Sequence, residues 1–177
     1  MKYEIEIKIL EINKEKMLNK LIQLGAEKII DNEIVAYYFD TKERNLSKEG
    51  KVLRLRKIGN KNFLTFKKKI LDDEISKREE YEIEINNFDD MKDIIQNLNY
   101  KLIEIVRKHR TSFKLNETLF EIDEHLEQNS FIPCLMEIES TNKENINKYI
   151  DLLNIDKNQI SKLGFFGLRK KYLGKLK

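Results

Sequence analysis

The sequence predicts an α+β fold, a closed eight-stranded antiparallel β-barrel that forms a tunnel, with helices packed on the outside. Two observations carry this expectation. Apolar and charged residues alternate with period two in about eight short segments, as in strands with one wet face. Between those segments, apolar residues recur at helical spacing. The helices must cover the apolar sheet faces, so the charged faces all point the other way. A twisted sheet of that many strands curls and can close, which turns the charged faces inward.

The elements follow in order. Tyr3 to Ile9 alternates perfectly and reads as the first strand. Met17, Leu18, Leu21 and Ile22 form one apolar helical stripe, ended by Leu24-Gly25. Ile34 to Phe39 is a more apolar strand, and Lys51 to Arg56, Asn62 to Lys67 and Tyr81 to Ile85 alternate again. Met91, Ile94, Ile95 and Leu98 make a second helix behind the acidic pair Asp89-Asp90, where negative charge suits a helix N-terminus. Leu102 to Phe113, Thr118 to Asp123 and Cys134 to Glu139 complete the strands. Ile146, Tyr149, Ile150 and Leu153 form a third helix, and Phe165, Leu168 and Tyr172 a short terminal one. The stretches near 58–62 and 70–76 read as hairpin connections. Tyr3-Glu4-Ile5-Glu6-Ile7 and Tyr81-Glu82-Ile83-Glu84-Ile85 are identical pentapeptides, each followed by a helix and a strand. Met136-Glu137-Ile138-Glu139 echoes them, so the whole of 1–177 is expected to be one domain with internal pseudo-symmetry.

Composition excludes several classes. The net charge is only +3 over 177 residues, which argues against a nucleic-acid coat. One cysteine, Cys134, allows neither a disulfide framework nor a cysteine-based zinc site. No apolar run approaches the roughly 18 residues of a membrane span, and the N-terminus opens directly into alternation with no signal-peptide core. A cytoplasmic protein without a membrane partner is expected, as a monomer or homodimer. Lysines number 27 and arginines 7, so arginine placement is the more informative. Five arginines (Arg54, Arg56, Arg78, Arg107, Arg110) fall in or beside strands.

Strand parity puts Glu4, Glu6, Glu80, Glu82, Asp123, Glu137 and Glu139 on charged faces, with Lys8, Arg54, Arg56, Lys67, Lys69, Lys108 and Arg110. Burying so many charges in a dry core would be prohibitive, so the interior they line is a lumen. Clustered carboxylates without cysteine favour hard, oxygen-ligated cations, Mg²⁺ or Mn²⁺. Arginine forks and lysine point charges suit phosphate oxygens. A polyphosphate carried with metal satisfies both sets together.

These residues resemble the CYTH superfamily, the triphosphate tunnel metalloenzymes. The ExExK signature stands as Glu4-Ile5-Glu6-Ile7-Lys8. Tyr38-Phe39-Asp40-Thr41, Leu53-Arg54-Leu55-Arg56, Thr65-Phe66-Lys67, Arg78 to Glu84, Lys108-His109-Arg110, Ile122-Asp123 and Glu137-Ile138-Glu139 follow in the family's order. The resemblance implies an eight-stranded tunnel for a triphosphate-containing small molecule and divalent metal. It implies metal ligation by Glu4, Glu6, Asp123, Glu137 and Glu139, and a triphosphate grip by Lys8, Arg54, Arg56, Lys67, Lys108 and Arg110. Glu80 or Glu82 would orient the attacking water or take its proton. The activity implied first is hydrolysis of inorganic tripolyphosphate or an organic or nucleoside triphosphate. The alternative is a class IV adenylyl cyclase making cyclic AMP and pyrophosphate, and a further one is a binding protein without turnover. Many cyclase-like members carry an acidic residue at the position of Ala36 and a Ser-Tyr-x-x-Leu element where this chain has Gly164-Phe165-Phe166-Gly167-Leu168. The usual Leu-Gly turn is also missing between Asp123 and Glu137. These departures bear on the nucleoside end, not on the phosphate and metal parts.

The remaining candidates read as structural. His109 and His125 each stand alone, and parity turns His109 away from Lys108 and Arg110. Cys134 beside Pro133 reads as a buried small residue, and the basic tail from Arg169 as a solvated helix end. No Walker A spacing occurs.

Overall fold

Alternation, capping and turn chemistry act together to build the frame. The computed structural model describes residues 3–70 and 76–175, and of these the side chains of Tyr3, Glu4 and Ser76 lie outside the description. The strands are β1 (Tyr3–Ile9), β2 (Glu27–Asp40), β3 (Lys51–Ile58), β4 (Lys61–Ile70), β5 (Ser76–Ile85), β6 (Lys101–Leu115), β7 (Thr118–His125), β8 (Leu135–Ser140) and β9 (Ile160–Ser161). The helices are α1 (Lys14–Gln23), α2 (Asn45–Lys48), α3 (Phe88–Asn97), α4 (Lys143–Leu152) and α5 (Phe165–Leu173).

Three strand-to-helix units share one local chemistry. Asn13, Asn87 and Asn142 cap α1, α3 and α4, each side chain accepting from a backbone N–H in the first turn. Gly25, Asn99 and Asn154 follow the same helices with φ of 78°, 68° and 49°, the left-handed conformation that closes a helix and turns the chain back. The expected hairpin near 58–62 is a tight turn at Gly59-Asn60, with Gly59 at φ 55°. The connection expected near 70–76 lies mostly outside the described residues.

The sheet order is β5-β4-β3-β2-β6-β7-β8-β1-β9, with every pair antiparallel. Pairing of β5 with β1, from Tyr3↔Glu79 to Glu6↔Ser76, closes eight strands into the expected barrel. The short β9 continues along the same edge of β1 at Lys8↔Ser161 and Ile9↔Ile160. Three elements differ from the sequence reading. β2 starts at Glu27 rather than Ile34, because its polar half runs as a ribbon paired with β6, held by backbone pairing and not by an apolar face, while β6 pairs on its other edge with β7. β5 starts at Ser76, which gives β1 the partner it needs for closure. The four-residue α2 is too short to carry a periodic signal, and the buried Asp40 fastens it by accepting from the backbone N–H groups of Leu46 and Ser47 and from the Ser47 hydroxyl.

Helices α1 and α4 cover the outer faces of β1, β7 and β8. Met17, Leu21, Ile146, Tyr149 and Leu153 pack there on Ile7, Ile9, Phe120, Ile122, Met136 and Ile138. Phe88 and Ile95 of α3 pack on Phe39 and Leu55. The last helix does something else. Leu168 and Tyr172 of α5 are buried with Leu10, Ile132 and Leu135, which brings its N-terminal end to one mouth of the barrel. No helix among the described residues is long and apolar enough to cross a membrane.

Candidate active site in the barrel lumen

The charged faces converge on one cavity of about 480 Å³ inside the barrel. Strand parity decides who enters it. From β1 come Glu6 and Lys8, from β3 Arg54 and Arg56, from β4 Lys67 and Lys69, from β5 Arg78, Glu80 and Glu82. From β6 come Lys108 and Arg110, from β7 Leu119, Glu121, Asp123 and His125, and from β8 Leu135, Glu137 and Glu139. Every site residue expected from the sequence therefore lines the cavity, except that the expectation for the Glu4 side chain lies outside the described residues. His109 is elsewhere, beside Asp31 at 3.3 Å on the polar ribbon. Among the lining residues absent from the expected site set are Glu121, Arg78, Tyr38 and His125. Glu121 and His125 share the parity of Asp123, so the strand pattern could have found both. Arg78 was recognisable as scarce arginine beside a strand.

The lumen charges are held in pairs. Arg110 is the hub: its Nε and Nη2 donate to the two Asp123 oxygens at 2.6 Å each, Nη2 also reaches Glu137 at 3.0 Å, and Nη1 meets Glu121. Lys108 donates to Asp123 at 2.6 Å. Lys8 lies 3.2 Å from Glu6 and 3.0 Å from Glu137. On the other wall, Glu82 accepts from Arg56 at 2.6 Å and from the Thr65 hydroxyl at 2.7 Å, while Glu80 pairs with Lys67. Burial works against the charges of Glu6, Lys8, Arg110, Asp123 and Glu137, and their partners outweigh it. Lys8, Arg110 and Lys108 hold the Glu137 carboxyl well below its usual range, and Arg110 and Lys108 do the same more mildly for Asp123. Glu137 and Glu6 in turn raise the Lys8 ammonium.

For Arg56 burial and the neighbouring Arg54 prevail and lower its pKa, and for Glu139 burial prevails as well. Among the described residues it has no ion-pair partner, and it stands opposite Glu6 in the β1–β8 register. Burial, then the neighbouring Glu121, push its carboxyl up to about 7 despite Lys67. Among the described residues, no three His, Cys, Asp or Glu side chains are gathered as a ready metal-ligand set. The donor chemistry nonetheless fits a divalent cation. The groups are all carboxylates, they face one cavity, and an uncompensated Glu139 beside Glu121, Glu137 and Glu6 is negative charge that a hard cation would relieve.

His125 is largely buried, which together with Lys108 lowers its pKa to about 4. Cys134 is half-buried, its thiol pushed up to about 11 by burial and the nearby Glu124, so it is an unreactive packing residue.

A lumen of paired cations and carboxylates within an eight-stranded antiparallel barrel defines the class of triphosphate tunnel folds. The CYTH domain profile matches residues 2–161, and the chain belongs to the CYTH domain family. It is similar to a Methanocaldococcus jannaschii protein named "Putative adenylate cyclase MJ0240", 27% identical over 171 residues that span 94% of this chain and 98% of that one. Among solved structures it is similar to the PH1012 protein of Pyrococcus horikoshii OT3, with a TM-score of 0.79, 25% identity, and 93% and 98% of the two chains covered. It also shares its fold with a Hippeastrum protein described as a "putative adenylyl cyclase" with "a dominant" triphosphatase activity. That likeness has a TM-score of 0.67 and 14% identity over 97% and 96% of the chains.

Proposed function

We propose that this protein is a divalent-metal-dependent triphosphatase that takes inorganic tripolyphosphate or an organic triphosphate into the tunnel and hydrolyses its terminal phosphoryl group. The observation that supports it best is the two-signed lining. Lys8, Arg54, Arg56, Lys67, Lys108 and Arg110 face the same cavity as Glu6, Glu80, Glu82, Asp123, Glu137 and Glu139. A polyanion alone would take up the cations and strand the carboxylates, whereas a polyanion bringing divalent metal compensates both sets.

In this reading Arg54 and Arg56 on β3 and Lys67 on β4 bind the phosphate oxygens from one wall, and Lys8, Lys108 and Arg110 from the other. Fixed guanidinium and ammonium groups suit phosphoryl transfer, which needs positioning and charge stabilisation more than covalent help. Glu4, Glu6, Asp123, Glu137 and Glu139 would hold Mg²⁺ or Mn²⁺. When bound, the metal neutralises phosphate charge and polarises the phosphoryl oxygens. Glu80 and Glu82 take the water-orienting role. Phosphate arriving at Arg56 and Lys67 competes for the cations that hold these two carboxylates, and frees them to accept a proton. The working unit is the whole of 1–177 as one domain, a monomer or homodimer in the cytoplasm.

Adenylyl cyclase is the second reading, favoured by the name of the 27% identical relative. The deciding experiment is ³¹P NMR of products from ATP and from tripolyphosphate, each with Mg²⁺ or Mn²⁺. Orthophosphate from either substrate supports hydrolysis. Pyrophosphate with a cyclic nucleotide from ATP makes the protein a cyclase and overturns the first reading. No turnover of either moves the substrate to a thiamine or RNA triphosphate, or the reading to binding without turnover.

A further inference from the structure

Arg110 meets three carboxylates, and the triphosphatase reading gives two of them, Asp123 and Glu137, to a divalent cation. Both are fully engaged before any cation arrives. Asp123 accepts from Arg110 through both oxygens and from Lys108 as well, while Glu137 meets Lys8 with one oxygen and Arg110 with the other. A carboxylate that ligates metal gives it lone pairs, so these contacts to Arg110 weaken as the site loads. The third carboxylate, Glu121, lay outside the set implied by the sequence. It meets Nη1 of Arg110, the guanidinium nitrogen that Asp123 and Glu137 leave to it.

The sheet sets up this division. In the β6–β7 register Arg110 stands opposite Asp123, and Glu121 comes two residues along on the same face, opposite Ser112. A long side chain reaches such a diagonal neighbour across a strand pair. On its other edge Glu121 stands opposite Glu137 in the β7–β8 register. Carboxylates placed opposite each other repel, and the Arg110 guanidinium, in contact with both, relieves that repulsion. The two partners are shielded from water, Arg110 with 5% and Glu121 with 14% of the side chain exposed. The pair also faces the phosphate grip of the opposite wall. After burial and its neighbours Arg54 and Glu82, the charges that Arg56 feels most are Arg110 and Glu121.

We propose that Glu121 is a positioning residue, which holds Nη1 of Arg110 so that the guanidinium keeps its place for a phosphate oxygen when Asp123 and Glu137 turn to the metal. The role rests on the triphosphate reading of the tunnel and adds a residue to it. A fixed guanidinium serves a transferring phosphoryl group better than a mobile one, because its reorganisation is complete before the substrate arrives. Glu121 acts here as a hydrogen-bond acceptor. As a bare charge beside Arg110 it would repel phosphate, so the two roles have opposite signs and can be separated.

The test is calorimetric titration of the Mg²⁺-loaded protein with imidotriphosphate, a hydrolysis-resistant probe, in the parent, Glu121→Leu and Glu121→Gln. Glu121→Leu removes the acceptor and weakens the probe about tenfold, the low end for a lost charge-assisted hydrogen bond. Glu121→Gln removes the charge but keeps an acceptor oxygen for Nη1, and binds within about threefold of the parent. In an Arg110→Met background, Glu121→Leu has no further effect. Unchanged or tighter binding by Glu121→Leu would make Glu121 a repelling charge only. Equal weakening in Leu and Gln, or weakening that persists without Arg110, would make it a charge acting on the metal. Either result overturns the positioning role, while probe binding by the parent leaves the tunnel reading standing. A second readout needs no change at residue 121. In spectra of ¹⁵N-arginine-labelled parent with Mg²⁺ and no probe, the Arg110 Nη signals, assigned by their loss in Arg110→Met, are separate, as for a guanidinium held at Nη1. Averaged signals there overturn the proposal even where Glu121→Leu does not fold. If imidotriphosphate does not bind the parent at all, the tunnel reading fails and this role with it.

Discussion

Replacing Arg110 by methionine removes the hub of the lumen while keeping most of its volume. The Arg110 side chain is 5% exposed and that of Asp123 is 2%, so the pair is shielded from water. Four contacts go at once, two to Asp123, one to Glu137 and one to Glu121. Breaking a buried ion pair on one side costs about 3–5 kcal/mol, because the abandoned charge stays desolvated. Two cations soften the loss here, since Lys108 still holds Asp123 at 2.6 Å and Lys8 holds Glu137 at 3.0 Å. The expected cost is therefore the lower end, about 3 kcal/mol, which in a domain of this size is a fall of about 6–12 °C in Tm. The assay is thermal denaturation in EDTA and again in 10 mM MgCl₂. The freed carboxylates should bind cation more readily, so Mg²⁺ should raise the Tm of Arg110→Met more than that of the parent. The deficit should also shrink as pH falls below the usual carboxylate range, where the parent loses the same Asp123 and Glu137 pairs by protonation. A Tm within about 2 °C of the parent, or a deficit indifferent to Mg²⁺ and pH, would refute the account of the lumen as a compensated charge network.

Other outcomes follow from the same geometry. In EDTA, Glu139 has a folded pKa of about 7, above its usual value, so the stability it contributes is complete below about pH 4.5 and is lost as pH rises through 7. Glu139→Gln should then be more stable than the parent at pH 8, by up to about 3 kcal/mol, and not at pH 4.5; a constant difference across that window in thermal melts would contradict this. Glu137 and Asp123 have lowered pKa values and act oppositely, their stabilisation being lost as pH falls below the usual carboxylate range. Asp40→Ala should cost about 3 kcal/mol in urea unfolding, because the backbone N–H groups of Thr41, Leu46 and Ser47 lose their acceptor. Arg54→Ala should raise KM for tripolyphosphate by about 10–100-fold through a lost charge-assisted contact, and an unchanged KM would remove Arg54 from the phosphate grip.

The identical pentapeptides at Tyr3 and Tyr81 separate what was legible from what was not. Local patterning makes both into strands and, by parity, sends Glu6 and Glu82 into the lumen. Their apolar sides differ. Ile5 packs against the cluster under α1 and α4, whereas its counterpart Ile83 is 57% exposed. No local signal distinguishes the two, because burial depends on which helix lies across the outer face. The lumen set was likewise readable in large part, since one bit of parity per strand selects it. Its pairing was not: that Arg110 gathers three carboxylates while Glu139 has no ion-pair partner among the described residues depends on the stagger of neighbouring strands.

By itself, then, the sequence determined the strands, the three asparagine-capped helices, the two-faced sheet and the residue types on its charged side, because periodicity, capping and parity act over a few residues. Closure of β5 on β1, the polar ribbon of β2 and β6, and the seating of α5 with its aromatic rings at the tunnel mouth were decided by tertiary structure. Each depends on contacts between segments far apart in the chain, such as Arg169 with Glu104 and Tyr172 with Glu11, which no local pattern encodes.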